Sequence, residues 1–544
     1  MTSASTNRKR VLAASAAFAA AAIALAGCSA GGTTGAAKTG EPITIGTTDK
    51  VTTLDPAGSY DNGSFAVQNQ VFPFLMNTPY GSPDVEPDIA TKAEFTSPTE
   101  YTVTLKPDLK WANGNDLTSS DVKFSFDRQL KIAADNGPSS LLYNLASTAA
   151  PDDTTVVFTL KAANDQIFPQ ILSSPAGPIV DEESLSADAL TPDDEIVKAN
   201  AFAGQYVITS YDFNNLIGYK ANKDYQGLLG AAKTDVVRVK YYTEASNLKL
   251  DVQEGNIDVA FRSLSATDIE DLRGNDKVKV VDGPGGELRY IVFNFDTQPY
   301  GAKTADADEA KALAVRQAVA HLVNREEIAE QVYKGTYLPL FSYVPAGLTG
   351  ATESLKGLYG DGNGAPDAAK AKAVLADAGV TGKVELALQY NPDHYGPGSA
   401  DEYALVKDQL EASGLFTIKL QSTEWVQYAK DRTSDAYPAY QLGWFPDYSD
   451  ADNYLTPFFL DKNFLLNHYS DKEVNDLILK QAVTADPAER QKMIEEIQDK
   501  VAAELSTVPL LQGAQVAVTG TGVTGTSDTL DASFKFRYAA LAKG

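Results

Sequence analysis

The chain has one cysteine, Cys28, in 544 residues. No intrachain disulfide can form, so stability must come from buried area rather than cross-links. The three histidines, His321, His394 and His468, are far apart, and none has a second ligand at helical spacing. That removes the usual imidazole-based metal and acid–base constellations. H-E-x-x-H, the phosphate-binding loop and G-x-S-x-G are all missing, so zinc, nucleotide and serine hydrolase readings lack their central residues. Gly283-Pro284-Gly285-Gly286 does not fit the spacing of a dinucleotide-binding turn. Asp447 to Asp452 has the charge of a calcium loop without its central glycine or closing glutamate. After Cys28 no apolar run reaches the roughly 20 residues of a membrane span. Positive charge is also scarce: 46 Lys and Arg against 72 Asp and Glu leave a net charge of −26. Nucleic acid is a poor partner for such a surface, whereas a ligand with a cationic group would be attracted. No cofactor, no metal and no enzymatic chemistry are expected.

What is present begins at the amino terminus. Arg8, Lys9 and Arg10 precede an apolar run from Val11 to Ala26, broken only by Ser15. This is the order of a secretory signal peptide, assigned to residues 1–27. Cys28 follows Leu25-Ala26-Gly27 directly, the place where bacterial lipoprotein signals put their acylated cysteine. Cleavage before Cys28 and a diacylglycerol on its thiol would anchor the protein, because two acyl chains hold where one barely does. Residues 28–40 are rich in Gly, Ala and Thr and read as a flexible tether reaching roughly 20 Å. The expected location is the outer face of the bacterial cytoplasmic membrane.

From Glu41 onward strand patterns alternate with helix patterns, and the length implies two or more domains. Strands are expected at Ile43–Ile45, Tyr101–Leu105, Thr155–Leu160, Val236–Tyr242, Ile257–Phe261, Leu288–Phe295, Val384–Gln389 and Thr417–Gln421. Helices are expected from Ser119 to Arg128 behind Thr118, from Ser246, from Asp308 to Lys334, and from Pro366 to Ala378. Three more capped starts stand at Ser399, Ser470 and Asp486. The alternation implies an α/β fold with parallel sheets.

Several segments resemble the peptide/nickel class of extracellular solute-binding proteins, family 5, the binding components of ABC importers. They are Lys110 to Arg128, Gly204-Gln205-Tyr206 with Tyr219 to Tyr225, Phe293-Asn294 with Val315 to Val319, Asp367 to Gly379, and Gly443-Trp444 to Asp450. The resemblance covers residues 41–544. It implies a two-lobed periplasmic-binding-protein-like fold (type II, cluster C) with an extra inserted domain. Lobe I would take 41–77, 201–287 and 506–544, the inserted domain 78–200, and the other lobe 288–505. Hinges would fall near Glu287-Leu288 and Leu505-Ser506, and closure about them would trap a ligand.

The resemblance also nominates a site. In oligopeptide- and dipeptide-binding relatives the aspartate of G-W-x-x-D receives the ligand's α-amino group, and here it is Asp447. A desolvated ammonium needs such an anionic acceptor. Trp425 and Arg432 stand at the relatives' spacing from Trp444, and an arginine fork suits a carboxylate. The relatives' second arginine is Gln441 here, which leaves the place of a ligand carboxylate open. Tyr60, Trp444, Phe445, Tyr448 and Tyr454 could line side-chain pockets, giving apolar area with a polar handle. The expected function is capture of di- or oligopeptides by a monomeric, lipid-anchored binding protein that delivers them to an ABC permease. A non-peptide solute such as an oligosaccharide, nickel chelate or opine is the alternative. A surface hydrolase or peptidase, and a signalling or adhesion lipoprotein, are more distant ones.

Overall fold

The computed structural model describes residues 41–396, 398–533 and 535–544. The expected signal peptide, the acylation site Cys28 and the tether therefore lie outside the described residues. No helix among the described residues is long and apolar enough to cross a membrane.

An 11-stranded sheet forms the spine. Its order runs Phe416–Ser422, Val384–Tyr390, Ala439–Trp444, Val278–Phe293, Thr507–Gly520, Val259–Phe261, Ile43–Thr47, Val236–Tyr241, Leu216–Ala221, Tyr206–Asp212, with Tyr337–Pro339 added beside Thr507–Gly520. The sheet is mixed, which corrects the expectation of parallel sheets. Ile43–Thr47 pairs in parallel with both neighbours, as does Val384–Tyr390, and the remaining pairs are antiparallel. A separate four-stranded antiparallel sheet is built from residues 90–160.

Two strands are much longer than the rest, Val278–Phe293 at 16 residues and Thr507–Gly520 at 14. They pair along most of their length, and the register shifts between Pro284 and Leu288, opposite Gln512 to Ala514. Glycines make this crossing possible. A Cβ on Gly285 would fall 2.2 Å from the Gly513 carbonyl, and one on Gly286 would fall 2.6 Å from Pro446. The buried apolar residues separate on either side of it. One core runs from Leu288 to Leu511, and a second gathers Ile43 to Val259 with Ala517 to Leu541. A third core belongs to the segment from Leu75 to Ala203. Val508 to Leu511 thus pack with the first core, and Thr507 already pairs with Val292. The change of core on this strand comes between Leu511 and Ala517.

The helix ends follow their side chains. Thr118 and Asp121 close a capping box on Ser119–Ile132, and Asp486 caps Pro487–Glu504. The long helix expected over 308–334 is two helices, Glu309–Leu322 and Arg325–Gln331. Val323 is extended, and the Asn324 side chain accepts the Glu327 N–H, so a second cap interrupts the apolar period. The expected caps at Ser399 and Ser470 are also displaced. Ser399 is the first helical residue, behind Gly398, and Asp471 caps the later helix.

The motifs in the amino-terminal half mostly hold the segments together. Arg128 forks onto Asp55 at 2.8 and 2.6 Å, with both side chains almost fully buried. This pins the helix Ser119–Ile132 to the loop after the first strand. The Gln205 amide donates to the Gly230 carbonyl at 2.8 Å, and the Asn222 amide to the Gly204 carbonyl at 3.0 Å. In the other half Arg316 Nε donates to the Glu504 carbonyl at 2.9 Å, closing that helix's end.

Candidate functional site

The strand Ala439–Trp444 ends in Trp444-Phe445-Pro446-Asp447, and this turn faces the loop and helix start at Tyr60 to Ala66. Between them lies a cavity of about 400 Å³, near the lower end of the ~300–1,000 Å³ range of small-molecule sites. Its walls come from both large cores and from the carboxy-terminal segment.

Six of the residues nominated from sequence meet here: Tyr60, Trp425, Trp444, Phe445, Asp447 and Tyr448. The Trp444 ring packs edge-on to Phe458 and Phe464, and its Nε1 donates to Asn453 Oδ1 at 2.9 Å. The same oxygen accepts the Asp447 N–H at 2.9 Å, and Asn453 Nδ2 donates to Asp447 Oδ2 at 3.1 Å. One asparagine thus orients both the aromatic wall and the carboxylate. The Tyr60 hydroxyl donates to Asp447 Oδ1 across the cavity. Burial pushes the Asp447 carboxyl above its ordinary range, and the Tyr60 and Asn453 donors pull it partly back. Burial and the Asp447 charge push the Tyr60 phenol up, so it stays a donor.

Trp425 is stacked on His394 at 3.7 Å and 5°, and its backbone N–H donates to Asp393 at 3.1 Å. Tyr448 donates to Asp452 Oδ2 at 3.2 Å and packs on the third core.

Two nominated residues are placed elsewhere. Arg432 is buried and does not line the cavity; its NH1 donates to the Phe464 carbonyl at 3.2 Å, and its guanidinium lies 4.4 Å from the Phe464 ring centroid. It supports a cavity-lining ring from behind. Tyr454 is a core residue whose hydroxyl donates to the Gly286 carbonyl at 2.8 Å, at the strand crossing. Gln441 is also internal, accepting from Asn391 and donating to Ser399.

Sequence reasoning missed the other wall. Tyr241, Phe261, Lys535, Phe536 and Tyr538 line it, with Phe261 and Phe536 stacked at 3.9 Å and 10°. For Phe536 and Tyr538 a signal was present, because residues two apart share a face when the chain is extended; it gave no hint of Lys535. Tyr395 was missed as well; it donates to the Gly443 carbonyl at 3.2 Å and lies beside Trp425.

Residues 84–465 match the family described as bacterial extracellular solute-binding proteins, family 5. The chain belongs to this family. The glutathione-binding protein GsiB of Escherichia coli K12 is 24% identical over 514 residues, which covers 92% of this chain and 94% of that protein. Among solved structures, the periplasmic binding protein DppA from Helicobacter pylori, in complex with the peptide STSA, aligns with a TM-score of 0.70 at 19% identity, covering 93% of this chain and 98% of that one. The unliganded open form of the murein tripeptide binding protein MppA aligns at 0.77 and 18%, with the same coverage. The fold is accordingly the two-lobed one of these binding proteins.

Proposed function

We propose that the protein captures short peptides in this cavity, with the ligand's α-ammonium on Asp447, and presents them to an ABC permease. The observation that carries the reading is the state of Asp447. It is a largely buried carboxylate facing a cavity, and the partners that orient it, Tyr60 and Asn453, are neutral donors. A buried carboxylate costs solvation unless a cation joins it, and a peptide ammonium is a cation of the right size. The aromatic walls supply apolar area without fixing one side-chain identity, which fits a ligand class defined by its main chain. The relatives named for glutathione and for peptides support the same class.

Rotation of the lobes about the glycine crossing at Gly285 and Gly513 would close the cavity. The signal peptide, acylation of Cys28 and the tether would keep the body at the outer membrane face beside its permease. Native mass spectrometry of residues 41–544, purified from the host and then denatured, tests the assignment. A set of peptide masses is expected. A single sugar or metal-chelate mass would retain the binding role and remove both the peptide and the ammonium on Asp447.

A further inference from the structure

The carboxylate end of such a ligand has no partner yet, because Arg432 is turned away from the cavity and Gln441 is internal. A cation does reach the cavity from the opposite wall. Lys535 lies in the carboxy-terminal segment and lines the same cavity as Asp447, yet it is only 4% exposed. Among the described residues its Nζ has one hydrogen-bond partner, Ser173 Oγ at a long 3.4 Å, and sits 5.8 Å from the Phe74 ring centroid. No carboxylate among the described residues lies within the 4.0 Å of an ion pair with it.

The nearby acids are otherwise engaged. Asp531 accepts the Gly81 and Ser533 N–H groups, and Asp88 accepts from Asn77, Tyr225 and Leu228. The nearby cation, Arg537, is held by Asn77 and Thr78 and repels the ammonium. Burial and that repulsion push the Lys535 ammonium well below the usual lysine range. Lysine is almost never buried without a partner. An acidic chain has every means to supply one internally, and at this position it does not.

We infer that Lys535 is the anion subsite of the cavity, receiving a carboxylate of the bound ligand while Asp447 receives its ammonium. This rests on the peptide reading and sharpens it: the ligand is a zwitterion short enough for both charges to fit in one cavity. Arg432, the residue singled out for that task by spacing, serves instead as support for Phe464.

The test uses the Lys535→Met variant, which keeps most of the aliphatic stem, and Lys535→Arg, which keeps the charge. Each is titrated calorimetrically with trialanine, its carboxy-terminal amide and its des-amino analogue. The wild type should prefer the free acid over the amide by about tenfold or more. Lys535→Met should bind acid and amide alike, retain its preference for the free amine, and melt no lower than wild type without ligand, since a buried amine with no carboxylate partner has been removed. Lys535→Arg should restore the preference for the acid. A full acid preference in Lys535→Met, or a collapse of its melting temperature, overturns the subsite. If no peptide binds any variant, the peptide reading falls separately. Thermal shift with succinate then decides Lys535: an anion-dependent rise in the wild type that Lys535→Met lacks retains the subsite, and equal behaviour removes it.

Discussion

The Asp447→Asn substitution separates the ammonium contact from general packing. Asparagine keeps the size and the oxygen that accepts from Tyr60, and loses the charge. Truncating one side of a buried charged pair costs about 2–5 kcal/mol in binding. Tyr60 beside it is 40% exposed, so water reaches the pair and about 2–3 kcal/mol is the appropriate part of that range. The dissociation constant for trialanine should therefore rise roughly 30- to 150-fold. The des-amino peptide should bind wild type and variant with similar, weak affinity, giving a coupling near 2 kcal/mol in the cycle of two proteins and two ligands. Isothermal titration of the four pairs measures it. The empty variant should melt close to wild type. Burial already disfavours the ionised carboxylate, and losing that penalty offsets the lost Asn453 hydrogen bond. A coupling under about 0.5 kcal/mol would refute the assignment, because an ammonium on Asp447 must make the two changes non-additive.

Tyr60→Phe removes a donor that lowers the Asp447 carboxyl, so the acid limb of the peptide-binding pH profile should move to higher pH; an unmoved limb disconnects the two residues. Asp452 is fully buried, and burial with its neighbour Asp450 pushes it up from 3.8 to about 6. The folded state then binds that proton more tightly than the unfolded chain does, so this group adds stability as pH falls through about 6 and withdraws it as pH rises. The unfolding free energy from urea titration should be higher near pH 5 than near pH 7 by about 1 kcal/mol, and Asp452→Asn should flatten that slope. Arg128→Met leaves Asp55 fully buried without its cation and should cost about 3–5 kcal/mol by chemical denaturation; a loss below about 1 kcal/mol would mean that Thr191 and Ala57 alone satisfy the carboxylate.

Local signals were legible where a side chain acts on its own backbone. The Thr118 and Asp486 caps, and the strands Thr155–Leu160 and Val384–Tyr390, could be read from spacing alone. The break at Val323 was not, because apolar residues continue through it and only the Asn324 side chain reveals the new start. Strand direction was also out of reach: the spacing of strands and helices is the same whether Thr507–Gly520 returns antiparallel or not. At the site, motif spacing found the Asp447 wall because its residues are adjacent in sequence. Lys535 lies on a distant segment, and its meaning depends on which acids are already engaged, a property of the fold rather than of any motif.

The two charges sit on different walls, and this bears on how binding could drive closure. Asp447 follows a strand of the first core, whereas Lys535 is next to Phe536 of the second. On the proposed reading, a zwitterion that satisfies both ties the lobes together with two charge-assisted contacts. A ligand with one charge satisfies one wall and leaves the other group buried without a charged partner. Such a ligand gains binding energy without differential stabilisation of the closed form, and only differential affinity moves a conformational equilibrium. The Tyr60 hydroxyl on Asp447 already bridges the gap, a neutral contact that a ligand ammonium would outcompete. Selection for short zwitterions would then act at closure as well as at capture, which is the step a permease can sense.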